Sequence, residues 1–414
     1  MSENMQWPRL LVGMDAHTRK LALCLAKWNY GSDPKRQKNF PHVALADMER
    51  FYLANIPAEA TTIVEATGNA FVIKERLEKI GRKVEIVKSD ALETISQDDR
   101  ITDLIDAQKL TIAYARGASL SLVRHPDRGS ADLRAMFGGE RMATKESTRA
   151  SNRIWALCNE CGLPLPTKSR EAKVSEVCSM MKAHPLSDWQ RFRIEDELES
   201  YEKALDRRAK YKKELARIVM GNDKMRKLLQ LCGVKHLLAF ALVAYTGDVN
   251  DFKTPKHLVS YYGLNPRVNG SGEVEERNKK KGRNGKTSKY GRKDVKTLLI
   301  EAAQSVVRTQ KTSALGKWAA KKLAQQKPYN KVVCAVARKI ACYAWHVMKG
   351  HPVPNRDSEA FFTRKAKRIY GEIGKDVMKE IGFASAAELV ERIVVPLYAH
   401  LPEEGEKAAE TTAT

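Results

Sequence analysis

No apolar run in this chain approaches the roughly twenty residues a helix needs to cross a bilayer, and its first residues, Met1-Ser2-Glu3-Asn4, do not read as a secretory leader. A membrane partner is thereby disfavoured and a cytoplasmic protein acting at the nucleoid is expected. Cysteine is sparse: seven in 414 residues, an odd number and scattered, which excludes a disulfide scaffold and suits reduced thiols. Cys158 and Cys161 form one Cys-x-x-Cys, but no second pair stands at matching spacing, and a structural zinc needs four ligands. Acid is also in short supply. Against 73 Lys and Arg there are 50 Asp and Glu, a net charge of +23 and a pI near 9.6. Such a balance calls for a polyanionic partner, nucleic acid before an anionic membrane.

What is present suffices for two or three cores, since 43% of the residues are hydrophobic. Residues 9–15, 20–27, 41–45, 61–67 and 83–88 read as strands, with helices over 47–55 and 70–80. Three strands followed by alternating helices and strands predict an α/β domain with the ribonuclease-H-like (RuvC-like) layout. From about residue 129 the pattern becomes helical, with long helices over 131–157 and 188–220 and a Pro-Leu-Pro break at 164–166 between them. The apolar spacing at Ile194, Leu198, Tyr201 and Leu205 predicts a helical hairpin of coiled-coil type, suited to internal packing or to self-association. A mainly helical domain follows, with two apolar segments about Gly233 whose turn could offer N–H groups to a phosphate, and helices over 295–309 and 331–348. The expected domains are 1–128, 129–227, 228–352 and a helical extension, 353–414, with a disordered tail.

Function is organised about the stretch Asp99 to Leu110. Asp103 and Asp106 stand three apart in a helix-forming run, so both carboxylates share a face. On its own the pair suits a solvated first turn as well as a metal, because acids favour helix starts. Asp15 ends the first strand and Glu65 lies on a later one. In a ribonuclease-H-like sheet the first and fourth strands are neighbours and the later helix crosses their end, which would gather all four acids. Carboxylates so gathered repel, and two magnesium ions would relieve that while supporting phosphodiester transfer.

Basic residues supply the complementary feature. Arg141, Lys145, Arg149 and Arg153, each four apart, form a stripe along one helix face. Between Arg277 and Lys296 lie ten basic residues and one acid, Asp294. Of these, Lys279, Lys280, Lys281, Arg283, Lys286, Lys289, Arg292 and Lys293 are candidates for phosphate contact. Ser271 stands between two glycines, open as a nucleophile must be, although Gly-Ser-Gly is equally a turn sequence.

Three short motifs, Val12-Gly-Met-Asp15-Ala-His-Thr18, Val64-Glu65-Ala-Thr-Gly68 and Asp103-Leu-Ile-Asp106-Ala107, resemble the DEDD tetrad of the bridge-RNA-guided insertion-sequence transposases, or recombinases. Downstream, Gly247-Asp248, Phe252, Leu258, Tyr262-Gly-Leu-Asn-Pro266, Ser271-Gly272, Lys289-Tyr-Gly291 and Ala335-Val-Ala-Arg-Lys339 are similar to that family's second domain. The resemblance spans most of residues 10–350 and implies a transposase that cuts and rejoins DNA. By motif position Asp15, Glu65, Asp103 and Asp106 would bind magnesium, and Ser271 would form a covalent link to phosphate. It further implies donor and target DNA bridged by a guide RNA, and dimers pairing into a tetramer whose active sites combine subunits. The segment between Gly272 and Lys289 is longer and more basic than the family pattern, and Ser260 and Ser288 flank the same region. The rival readings are a Holliday-junction-resolvase-like nuclease with no covalent intermediate and a nucleic-acid-binding protein with no chemistry.

Overall fold

Alternation of Leu11, Gly13 and Asp15 with Val12 and Met14 makes β1 (Arg9–Ala16) a strand with two different faces, both of them covered. The computed structural model describes residues 9–87, 102–117, 126–166, 173–266, 291–352 and 358–398. The chain divides into two units, Met1–His125 and Pro126–Thr414.

In the first unit β1 is central. It pairs antiparallel with β2 (Lys20–Trp28), which pairs antiparallel with β3 (Lys35–Ala44). On its other side β1 runs parallel to β4 (Thr61–Glu65), and β4 to β5 (Lys83–Val87), for a sheet order β3-β2-β1-β4-β5. The α1 (Met48–Asn55) and α2 (Ala70–Lys79) helices contribute Met48, Tyr52, Ile73 and Leu77 to a core with Val12, Met14, Leu23 and Val64. The mixed α/β sheet matches the strand content expected from sequence, apart from β3, which starts at Lys35 and not near Pro41. Lys35-Arg-Gln-Lys-Asn39 has no apolar alternation to mark it. As an edge strand it is held by its ladder to β2, and polar side chains are tolerated there.

The opposite face of the sheet takes α3 (Asp103–Ala115), whose Leu110 and Tyr114 pack on Leu11, Ile63 and Val87. Position 13 governs how closely it lies. A Cβ there would overlap the carbonyl of Ala107 and press on Thr111, so only glycine permits the contact. Thr102 fixes the start of the helix by accepting the Ile105 N–H at 3.3 Å.

In the second unit, α4 (Arg128–Glu160) and α6 (Asp188–Gly221) form the long hairpin that the spacing predicted. Its outer half packs through Ile154, Leu157, Ile194, Leu198 and Tyr201, with Val177 and Met181 of α5 (Lys173–Ala183). Its inner half joins a large core with α7 (Asp223–Leu228), α8 (His236–Thr246), α9 (Pro255–Tyr261), α10 (Lys293–Thr309), α11 (Ala314–Ala324) and α12 (Tyr329–Met348). The α11 helix has no counterpart among the helices read from the sequence. It begins at an N-cap, Ser313, whose Oγ accepts from the Gly316 N–H at 3.0 Å.

C-terminal helices α13 (Glu359–Ile373), α14 (Lys375–Glu380), α15 (Ala386–Leu389) and α16 (Val395–Tyr398) belong to the same core, through Phe362, Ile369, Met378 and Leu389. The turn about Gly233, expected as a phosphate seat, carries a packing contact. Gly233 adopts φ +77° with Ala302 and Val306 of α10 against its Cα. The buried ammonium of Lys365 donates to the carbonyls of Leu229 and Leu231 at 2.6 and 2.7 Å. The expected disordered tail, 403–414, lies outside the described residues.

Two stability outcomes follow. Gly13→Ala should destabilise the first unit by about 2–3 kcal/mol, because backbone must move to admit the methyl group. Lys365→Met should cost about 2–3 kcal/mol by stranding two buried carbonyls. Denaturant unfolding of each variant, compared with wild type, measures both. A change under 0.5 kcal/mol for either, within the scatter of about that size expected of neutral surface substitutions, would refute the corresponding contact.

Candidate functional site

Where Gly13 lets α3 lie flat on β1, the strand's end and the helix's first turn meet. Asp15 points to the α3 side, two residues beyond Gly13, and Asp103 is one turn before Ala107. Between them comes a residue the sequence reading did not select. His17, in the hairpin after β1, places Nε2 3.2 Å from an Asp15 carboxylate oxygen and 3.4 Å from one of Asp103. The hairpin closes through the His17 N–H donating to Lys20 O at 3.0 Å, and Asn69, at the start of α2, donates to His17 O at 3.1 Å. Lys20 reaches the other oxygen of Asp103 at 2.7 Å.

The electrostatics separate the two acids. Burial raises the Asp15 pKa above the usual carboxylate range; His17 opposes this, and the nearby charges of Asp103 and Asp106 add to it. Half-buried Asp103 is held below its ordinary value, first by the Lys20 hydrogen bond and then by His17. Among the described residues, Asp15, His17 and Asp103 are the set of potential metal ligands whose donor atoms all lie within 4.8 Å of one another. Oxygen-rich and short of charge compensation at Asp15, this donor set fits a hard divalent cation, with the imidazole as a borderline third donor.

Of the four acids singled out from sequence, the structure therefore gathers Asp15 and Asp103. Asp106 lies one helical turn on, close enough to influence Asp15, and Lys109 sits 3.4 Å from its carboxylate. Glu65 ends β4 one position past the Met14–Val64 pair, level with Asp15 on the neighbouring strand, but is outside the 4.8 Å group. The Asp-x-His spacing at a strand end is the one signal His17 leaves in the sequence, and it is equally that of an ordinary turn histidine.

Ser271 and the basic residues Lys279, Lys280, Lys281, Arg283, Lys286 and Lys289 lie outside the described residues. Both stems of their segment are described and touch. Gly263 (φ +71°) and Gly291 (φ +106°) are in such close contact that a Cβ on Gly291 would collide with the Gly263 backbone. Arg292, expected to meet phosphate, serves this stem: its Nε donates to the Tyr261 hydroxyl at 3.0 Å and its guanidinium lies 5.4 Å from that ring's centroid. Lys293 is exposed at the start of α10.

The basic stripe on α4 is likewise divided. Arg153 binds Glu197 of α6 at 2.5 Å, and Arg141 is half-buried 4.0 Å from Asp294. Lys145 and Arg149 remain exposed. Arg149 and Arg153 line a groove of about 380 Å³ between α4 and α6, with Lys203, Arg207 and Glu146.

Known proteins are similar to this chain in sequence. Residues 225–317 match the family model described as "Transposase IS116/IS110/IS902 family". That segment runs from α7 through the stems of the Ser271 segment into α11. A "Probable family 20 transposase" of Pseudomonas aeruginosa is 27% identical over 296 residues, covering 69% of this chain and 82% of that protein. The "Transposase for insertion sequence element IS1111A" of Coxiella burnetii is 27% identical over 255 residues, 59% of this chain and 66% of that protein. The chain is thus similar to insertion-sequence transposases of the IS116/IS110/IS902 kind.

Proposed function

We propose that this chain is the DNA transposase of a mobile insertion sequence, cutting and rejoining strands by phosphodiester transfer. One observation carries the reading: α3 lies on Gly13 so that Asp15 and Asp103 share a charge-strained cluster, in a chain similar to transposases. The sheet order β3-β2-β1-β4-β5 supports a ribonuclease-H-like domain as its frame. Asp15 and Asp103, joined by Glu65 and Asp106 on strand and helix ends that abut them, would hold magnesium, two ions by the proposed stoichiometry. Bound there, the metal would supply Lewis-acid stabilisation of the charge that develops on phosphate oxygens. Asp15, the most desolvated of the group, gains most from a cation. His17 orients Asp15 and Asp103 toward each other, and Lys20 keeps Asp103 ionised.

Ser271 is the proposed nucleophile. Its hydroxyl would attack phosphorus, displace one strand's hydroxyl and keep the phosphodiester's energy in a serine–phosphate bond, so that rejoining needs no ATP. The glycine-to-glycine stem at 263 and 291 favours this placement, since it fixes both ends of the segment that carries the serine. Donor and target DNA, a guide RNA bridging them, and dimers pairing into a tetramer complete the proposal. Lys145, Arg149 and the basic residues of 279–293 are the proposed phosphate contacts.

The cluster predicts an inversion of sign with metal. Because burial and like charge raise the Asp15 pKa, its ionised form destabilises the fold above the ordinary carboxylate range, and that penalty is absent at lower pH. Asp15→Asn should therefore melt above wild type at pH 7 in EDTA, and should lose the rise in melting temperature that millimolar magnesium gives wild type. A variant that melts lower in EDTA and still responds to magnesium would remove the metal assignment.

Chemistry is tested by trapping protein on labelled DNA with magnesium. Wild type should form a covalent adduct, while Ser271→Ala should form none and Asp103→Ala should lose at least a hundredfold in cleavage, the scale of a catalytic metal ligand. If Ser271→Ala cleaves normally and Asp103→Ala does not, the chain is a nuclease using water. If neither substitution matters and binding is tight, it is a binding protein.

A further inference from the structure

Between Glu301 and Asp357 the chain has no acidic residue. These 55 positions, 302–356, hold eleven Lys and Arg, so about an eighth of the chain provides 11 of its 23 net positive charges. Six of the lysines stand on α11, on α12 or in the turn between them. The α11 helix buries Leu315 and Ala319 and turns Lys317 and Lys321, four residues apart, to solvent. Lys327 is exposed in the following turn, and Lys331 in the first turn of α12. Beside them, Lys339 of α12 and Lys322 place their ammonium groups 4.8 and 5.9 Å from the ring centroid of Trp318.

Like charges four apart on a helix destabilise it by a few tenths of a kcal/mol, and here no acid offsets that. Elsewhere in the same unit several basic residues have partners: Lys213 and Arg217 on Glu380, Lys227 on Asp223, Lys235 on Glu372, Arg392 on Glu388. No ion pair among the described residues includes Lys317, Lys321, Lys327 or Lys331. The loop between the helices also has the lone positive φ outside glycine among the described residues, Gln326 at +55°. It closes α11 tightly, with Lys327 N–H donating to Lys322 O at 3.3 Å.

We propose that this α11–α12 face is a nucleic-acid docking surface that grips the phosphate backbone without reading bases. Its exposed cations are lysines, compact point charges, whereas base-edge recognition draws on the planar fork of arginine. The face lies almost wholly beyond the segment similar to the transposase family model, which ends at residue 317. It requires only a polyanionic partner, and so stands apart from the strand-cutting chemistry.

The test uses the full chain in EDTA with a labelled 30-base-pair DNA duplex (roughly three helical turns) and, separately, a structured RNA. Affinity is measured over a salt series for wild type, for K317Q/K321Q/K331Q and for a control, K79Q/K83Q/K227Q. The control lysines are exposed but ion-paired, so equal charge is removed at another place. Each phosphate contact contributes about 0.9 to the slope of log affinity against log salt on a duplex, so the α11–α12 variant should be shallower by roughly 2–3. The control should match wild type within about one contact. A reduction on the duplex alone identifies DNA as the partner, and on the RNA alone identifies RNA. Unchanged slopes on both overturn the proposal, as does an equal reduction in the control, which would mean net charge and no docking face. Loss of cleavage in Asp103→Ala with normal binding would leave it standing, and a failure here would leave the metal cluster untouched.

Discussion

The closeness of α3 to β1 is the constraint on which the candidate site depends. A helix resting on a sheet through ordinary side chains has its axis about 10 Å away, and its first turn would clear the strand's end by a similar margin. Gly13 removes the side chain at the contact, and the Ala107 carbonyl takes the place a Cβ would fill. Asp103 then arrives within one imidazole of Asp15. Glycine in a strand interior costs stability through backbone entropy and absent packing. Here that weakness yields proximity between two carboxylates on separate elements. Leu11 and Ile63 on one side and Leu110 and Tyr114 on the other provide the apolar contact that keeps the helix down despite the repulsion at its tip.

That repulsion is managed by the protein's own lysines and an imidazole. Lys20, His17 and Lys109 each approach one of the acids, and only Asp15 is buried enough for its ionisation to be pushed upward. The cluster thus contains one well-compensated acid and one poorly compensated acid, side by side. A divalent cation bound between them would satisfy Asp15 and compete with Lys20 for Asp103. Exposed pairs of this kind contribute little on their own, so displacing the lysine is cheap.

Much of this was legible in the sequence and some was not. Strands β1, β2, β4 and β5 and the long helices show in their apolar periodicity, because each buries a regular face. The β3 strand does not, since its edge position demands no such face. Asp15, Asp103 and Asp106 could be picked by residue type and spacing, whereas His17 could not be separated from an ordinary turn histidine without the hairpin that aims it at both acids. Arg153 and Arg292 show another limit: spacing and local charge mark them for phosphate, and neither reveals that Glu197 and Tyr261, distant in sequence, engage them. Lys317 and Lys321 fail to stand out because their neighbours are unremarkable. What distinguishes them is an absence of acid over 55 residues together with their exposure on α11, and only the second needs the structure.

In the second unit, packing is directed at the stem of the segment 267–290. Tyr262 is fully buried, its hydroxyl 2.5 Å from Thr246 Oγ1 at the end of α8. Trp345 of α12 donates to the Phe252 carbonyl at 3.0 Å, tying down the stretch that leads into α9. Arg292 closes the other side against Tyr261. Three helices and two aromatic hydroxyls therefore converge on the Gly263–Gly291 contact, where nothing larger than glycine fits. A segment that only needed to be soluble and charged would impose no such demand on its ends.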